Sequence, residues 1–221
     1  MISALATLAA LAVASAPVET PFEGAARVVV AERGPALVQL ARVTLERAVL
    51  TGDTEPRVAH RVGDLAPFGV FVTVVAPGPD GRPGETRGCF GNMESRGRTL
   101  DELVEEAALG AARFDPRVRP IAARELPGLQ VIVSLVGPTV PILTVSEVDP
   151  KRQGLLVRAG DRRSVLLPGE AKTATWQLRR SLRQAGIRRG EPYELFRFQT
   201  VTLYETPSQT HRRSDDPAPS L

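Results

Sequence analysis

The strongest constraint on this chain is the way helix breakers fence its apolar runs. Residues 129–136 are dominated by aliphatic side chains and are closed in by Pro127-Gly128 before and Gly137-Pro138 after. Eight residues between such fences are too few for a stable helix and suit one buried strand. Residues 69–75 follow the same rule. They are rich in β-branched side chains and end at Pro77-Gly78-Pro79-Asp80-Gly81, so they predict a strand entering a turn, with residues 86–90 as its antiparallel partner. Further strands are expected at 143–148, 155–157, 164–167 and 194–204.

Helical signals fall between these strands. Leu37, Leu40, Ala41, Thr44, Leu45 and Ala48 recur at helical spacing behind Pro35, a suitable first-turn residue, with Gly52 as a stop, which predicts a helix over 36–50. Thr99 and Glu102 form a capping box for a helix over 100–113, apolar on one face and acidic on the other. A third helix is expected over 172–184 with Trp176 and Leu182 inward, stopped by Gly186. Strands joined by hairpin-like turns, with helices interspersed irregularly, predict an α+β fold with a mixed, largely antiparallel sheet flanked by helices. No internal repeat or linker divides it, so one body is expected from about 30 to 205, with a smaller second lobe.

The two ends differ from this body. Residues 1–16 are small and apolar, and Ala14-Ser15-Ala16 or Ala12-Val13-Ala14 satisfies the small-x-small cleavage rule. They are expected to be a signal peptide or an apolar N-terminal helix, so the chain is exported or cytoplasmic. The run is shorter than the roughly 20 residues a membrane span requires, and no span is expected in the mature chain. Residues 206–221 are polar, Pro-containing and aperiodic, and are expected to form a disordered tail that contains His211.

Charge is unevenly spread. Residues 1–148 carry 14 cationic and 17 anionic side chains, whereas 149–221 carry 14 and 8. The excess sits largely in Arg158, Arg162, Arg163, Arg179, Arg180, Arg183, Arg188 and Arg189, with Trp176 the one nearby aromatic able to stack on a base, so a solvated face is favoured over a nucleic-acid surface. One cysteine and two histidines, His60 and His211, offer neither a disulfide nor a Cys-rich metal site, and no metal ligands are assigned. P-loop, G-x-G-x-x-G, H-E-x-x-H and G-x-S-x-G patterns are absent.

The chemically suggestive segment is Arg87-Gly88-Cys89-Phe90-Gly91-Asn92. Cys89 and Arg87 are the candidate catalytic pair, because a nearby guanidinium favours thiolate over thiol. Gly88, Gly91 and Asn92 are the candidate binding residues, since glycine permits close approach of a ligand to the backbone. Strand alternation puts Arg87 and Cys89 on one face and Phe90 on the other, which describes a buried structural cysteine equally well.

Gly69-Val70-Phe71-Val72-Thr73, a turn, then Thr86-Arg87-Gly88-Cys89-Phe90-Gly91 resembles the signature of the AMMECR domain family, an L-R-G-C-I-G segment after a G-x-F-V-T strand. Phe114-Asp115-Pro116-Arg117, Glu125-Leu126-Pro127-Gly128-Leu129, Gly154-Leu155-Leu156-Val157, Leu166-Leu167-Pro168 and Phe196-Arg197-Phe198 follow in the family's order, so the resemblance spans about 35–205. Thr86, Phe90, Gln153 and Gly169 depart from the family's Leu, Ile, His and Gln, and the absent histidine removes one partner for Cys89. The resemblance, as a bacterial relative, implies an antiparallel sheet flanked by helices plus a smaller lobe, with the signature lining a cleft between them. It implies no established reaction and names no cofactor. Its genomic company implies a Memo-type protein and a radical-SAM protein as partners. The competing functions are a cysteine-centred enzyme or modification-system component, slightly favoured by the flanking glycines, a noncatalytic protein- or ligand-binding module, and, last, an RNA-binding protein.

Overall fold

A computed structural model of the chain describes residues 20–57, 65–78 and 83–206. Residues 1–16, His60 and the tail beyond Thr206, with His211, lie outside the described residues. The first helix, α1 (Pro21–Thr51), starts much earlier than its apolar periodicity predicted. Thr20 and Glu23 form a capping box, with Pro21 at the first helical position, and the helix runs through Pro35 to a left-handed cap at Gly52. An internal proline costs one backbone hydrogen bond and a ring clash, about 3 kcal/mol in an isolated helix. Burial on both sides of it, Phe22 and Ala26 before and Leu37, Val38, Ala41 and Leu45 after, offsets that cost. Pro35 therefore sits inside the helix rather than at its start.

Among the described residues eight strands form two four-stranded sheets, antiparallel throughout. The first has the order β2 (Pro83–Asn92), β1 (Gly69–Pro77), β3 (Gln130–Val136), β8 (Thr200–Tyr204). Helix α1 and α2 (Leu100–Arg113), the latter opened by the expected Thr99–Glu102 capping box, cover it. The second sheet has the order β4 (Val140–Ile142), β7 (Glu194–Phe198), β5 (Gly154–Ala159), β6 (Arg162–Leu166), and carries α3 (Ala174–Gln184). The single strand expected over 194–204 is thus two strands, and the chain changes sheet at Gln199. There the Gln199 carbonyl accepts from the Gly137 N–H at 3.0 Å, binding the two inter-sheet crossings to each other.

Two other expectations fail locally. Residues 143–148 are not a strand: Glu147 gathers the Leu143 and Thr144 N–H groups at 2.9 and 3.0 Å, and this competition with a strand ladder produces a 3-10 turn at Val145–Glu147. Trp176 is not inward. It is 43% exposed with Arg180 over its ring, while Gln177 and Ser181 are fully buried and Leu182 is half-buried against the second sheet.

Each sheet has its own apolar core, and a third cluster occupies the seam between them. Val136, Leu167 and Phe198 form its centre, and Phe71, Cys89, Met93, Leu156 and Val165 pack around it. The signature segment is therefore positioned where the two sheets meet. Among the described residues no helix is long and apolar enough to cross a membrane.

Candidate functional site

β2 is the outer strand of the first sheet, and β1 fixes its register, pairing Thr73 with Cys89 and Phe71 with Gly91. Gly88 and Phe90 face α2. A Cβ on Gly88 would lie under 3.0 Å from the Ala111 carbonyl oxygen, so α2 rests directly on the backbone of β2 there. Phe90 fills a notch left by Gly110 of the same helix. At Gly91, a Cβ would run into the backbone of Val70 and Phe71. Close packing thus accounts for both signature glycines without a ligand, and Gly88 is buried rather than open to one.

Arg87 and Cys89 share the opposite face, as alternation predicts, but they do not act on each other. Arg87 donates from Nε to Glu125 Oε2 at 2.8 Å, so its charge is engaged with the 3-10 turn at Ala123–Gly128. The Cys89 sulfur accepts a hydrogen bond from Thr73 Oγ1 at 3.3 Å within the seam cluster. Burial pushes the Cys89 thiol up to about 11, the opposite of an activated nucleophile.

The backbone of Cys89 faces outward from the sheet edge, where its N–H and C=O would be orphaned. Asp115 and Arg117 close this edge together. Asp115 Oδ2 accepts from Cys89 N at 2.9 Å and Arg117 Nη2 approaches Cys89 O at 3.4 Å, while Arg117 donates to both carboxylate oxygens of Asp115 at 2.8 Å. Burial opposes ionisation of Asp115, but the hydrogen bonds from the Arg117 side chain and from the Arg117 and Cys89 backbones outweigh it and hold the carboxyl below its usual range. Bonding to Asp115 raises the Arg117 guanidinium in turn. Glu170 lies beside them. Burial pushes its carboxyl up, against the Leu167 N–H that donates to it at 2.6 Å. Asp115, Arg117, Glu170 and Arg180 line a cleft of about 360 Å³.

A second, smaller cleft of about 150 Å³ opens between the sheets. Gly91, Asn92 and Arg96 form one wall, and Leu156, Arg158, Arg163 and Phe196 form the other. Phe71, Met93, Leu156 and Val165 belong both to this cleft and to the seam cluster against which the half-buried Cys89 packs. Of the five residues singled out in the sequence, Gly91 and Asn92 reach the cleft, Cys89 packs in the seam, and Arg87 and Gly88 serve the fold.

In the sequence Asp115 and Arg117 stand only in a segment shared with the family, and no local pattern points to Glu125, Glu170 or Arg96. The Asp-Pro-Arg spacing carried a usable signal, since Asp115 Oδ1 accepts from the Arg117 N–H at 3.0 Å in a local Asx turn. Among the described residues no group of three or more His, Cys, Asp or Glu side chains could hold a metal ion.

The AMMECR1 family model matches residues 38–205. A protein from Methanothermobacter thermautotrophicus is 31% identical over 186 residues, covering 80% of this chain and 93% of that protein. One from Thermotoga maritima is 36% identical over 125 residues, covering 55% of this chain and 71% of that protein. The crystal structure of an uncharacterised protein from Pyrococcus horikoshii superposes with a TM-score of 0.63 at 25% identity, covering 77% of this chain and 90% of that one.

Proposed function

The chain belongs to the AMMECR1 family, and from that premise we propose that it is a binding module whose ligand enters the cleft between the two sheets, with Cys89 a packed element of the seam. The observation that carries this reading is the position of the signature. Gly91 and Asn92 line the cleft, while the half-buried cysteine, two residues before Gly91, packs with the same Phe71, Met93, Leu156 and Val165 that line it. A thiol near 11 leaves about one thiolate in ten thousand at pH 7, which favours packing over attack.

One observation favours the second reading, a cysteine-centred enzyme or modification-system component. Glu170, a carboxyl raised by burial, and Asp115, a carboxyl held low, both line one cleft beside Arg117, which reaches the Cys89 carbonyl, and separated carboxyl pKa values suit acid and base roles. Residues 30–205 are taken as the AMMECR-like domain. A Memo-type protein and a radical-SAM protein are its proposed partners, supported by family resemblance alone.

The test is an NMR screen of small fragments against the wild type and Cys89→Ala. The binding-module reading expects amide shifts centred on Gly91, Asn92 and Phe196 in both proteins. Shifts centred on Asp115 and Arg117, lost in Cys89→Ala and accompanied by covalent modification of the wild type, would establish the enzyme reading instead.

A further inference from the structure

We propose that the inter-sheet cleft binds a small oxyanion, a phosphate or carboxylate borne on an apolar or aromatic group, held by Arg96, Arg158 and Arg163. The proposal rests on the binding-module reading and adds the chemistry of the ligand. Its first support is an arrangement that folding alone disfavours. In the β5–β6 ladder Arg158 stands directly opposite Arg163, and like charges at opposed positions of an antiparallel pair repel. Glu194, opposite Arg158 on the other side, accepts from its Nε at 2.8 Å and balances that arginine. Arg163 has no hydrogen bond or ion pair among the described residues.

The second support comes from the facing wall. Arg98 N donates to Ser95 O at 3.1 Å, closing a turn whose central residues Arg96 and Gly97 have φ of 50° and 74°. Positive φ at both centres is the pattern that Asn-Gly satisfies easily and a long side chain does not. Arg96 is the only non-glycine with positive φ among the described residues, and it too has no polar partner there. Strain of this kind persists where the surrounding structure or a ligand gives it a use. With Glu194 balancing Arg158, Arg96 and Arg163 face one acid in the lining, Glu94, and leave the cleft net positive.

The apolar lining sets the rest of the ligand. Phe71 and Phe196 line the same cleft, and Arg158 lies over the Phe196 ring at 4.9 Å, so a flat apolar group fits beside the arginines. A volume of about 150 Å³ admits a molecule of the size of a monocyclic aromatic phosphate and excludes a polymer from its interior. Arginine forks suit phosphate and carboxylate alike.

The experiment titrates the full chain at physiological salt with phenyl phosphate, benzoate, inorganic phosphate, benzyl alcohol and a ten-nucleotide single-stranded RNA, followed by NMR and calorimetry. Saturable binding of phenyl phosphate or benzoate, with shifts at Asn92 and Phe196, is expected, and the tighter of the two identifies the oxyanion. Arg163→Glu should weaken it at least tenfold. Arg96→Gly should weaken it while raising the melting temperature, a split that a purely structural Arg96 would not show. Binding of benzyl alcohol in the cleft without either anion would overturn the proposal and leave the binding-module reading standing, whereas no probe in the cleft would overturn both. Anion binding unaffected by Arg163→Glu and Arg96→Gly, or binding of the RNA alone, would also overturn it.

Discussion

Substituting Gly88 by alanine puts one methyl group between β2 and α2. The added carbon would sit under 3.0 Å from the Ala111 carbonyl oxygen and 3.0 Å from the carbonyl carbon, where ordinary contact begins near 3.4 Å. Both obstacles are backbone, so no rotamer change relieves the clash, and α2 must withdraw by about 1 Å in a region packed to crystal-like density. That withdrawal loosens Leu103, Val104, Ala107 and Ala108, the helix's own buried residues, and pulls the Gly110 notch off Phe90. Overpacking of a core by one methylene costs about 1–3 kcal/mol where side chains can adjust, so about 3 kcal/mol or more is expected here. Urea unfolding followed by circular dichroism measures it, with Gly128→Ala as the control. Nothing lies within 4 Å of a Cβ at Gly128 and its φ is not positive, so that change should be neutral or stabilise by about 0.4–1 kcal/mol. A Gly88→Ala protein within about 0.5 kcal/mol of wild type would refute the packing explanation of the signature glycine, since that is the scatter of surface substitutions.

Arg42 and Glu205 form a buried ion pair, further fixed by Arg42 donating to Leu129 O at 2.6 Å and Glu205 accepting from Val131 N at 2.9 Å. Arg42→Ala strands a buried carboxylate and should cost about 3–5 kcal/mol in chemical denaturation, with Glu205→Gln recovering part of the loss in the double variant. Asp115→Ala removes the acceptor of the Cys89 N–H, and hydrogen exchange at that amide should accelerate well beyond that of its neighbours in β2. Cys89 also gives a pH signature. Its folded pKa lies above the unfolded value near 8.5, so its stabilisation is complete below about pH 8 and is lost as pH rises through 11; the stability gap between wild type and Cys89→Ala should narrow by about 2–3 kcal/mol between about pH 8 and 11.

The elements most legible in the sequence are those whose signals are local. The Thr99–Glu102 capping box set α2 at 100–113, and the Pro-Gly fences set β1, β2 and β3 within a few residues. The N-terminal half of α1 escaped because Pro35 reads as a helix start, while the Thr20–Glu23 box that opens the helix lies just past the apolar N-terminal run. Residues 194–204 read as one strand because no Gly or Pro interrupts them, and the adjacent polar pair Gln199-Thr200, which breaks the alternation where the chain passes from one sheet to the other, is too slight a signal to end a strand. Trp176 illustrates the limit of residue type. The face of α3 that meets the sheet carries the buried Gln177 and Ser181 beside the half-buried Leu178 and Leu182, and Gln177 donates to the Gln153 carbonyl at 3.3 Å. At the site, Cys89 was visible as the lone thiol, but its edge partner Asp115 is 26 residues away and the Glu125 that engages Arg87 is 38 residues away from it. Both distances lie beyond any local pattern.

The most direct test of the account is the pH dependence of Cys89 alkylation in the folded protein against a urea-denatured control. The control should react through a thiol of ordinary pKa, near 8.5. The folded protein should stay unreactive through pH 9 and gain reactivity only towards pH 11 or on unfolding, because the sulfur is desolvated in the seam. Rapid alkylation of the folded protein at pH 7, with a midpoint below the control, would contradict the account and return Cys89 to the role of nucleophile.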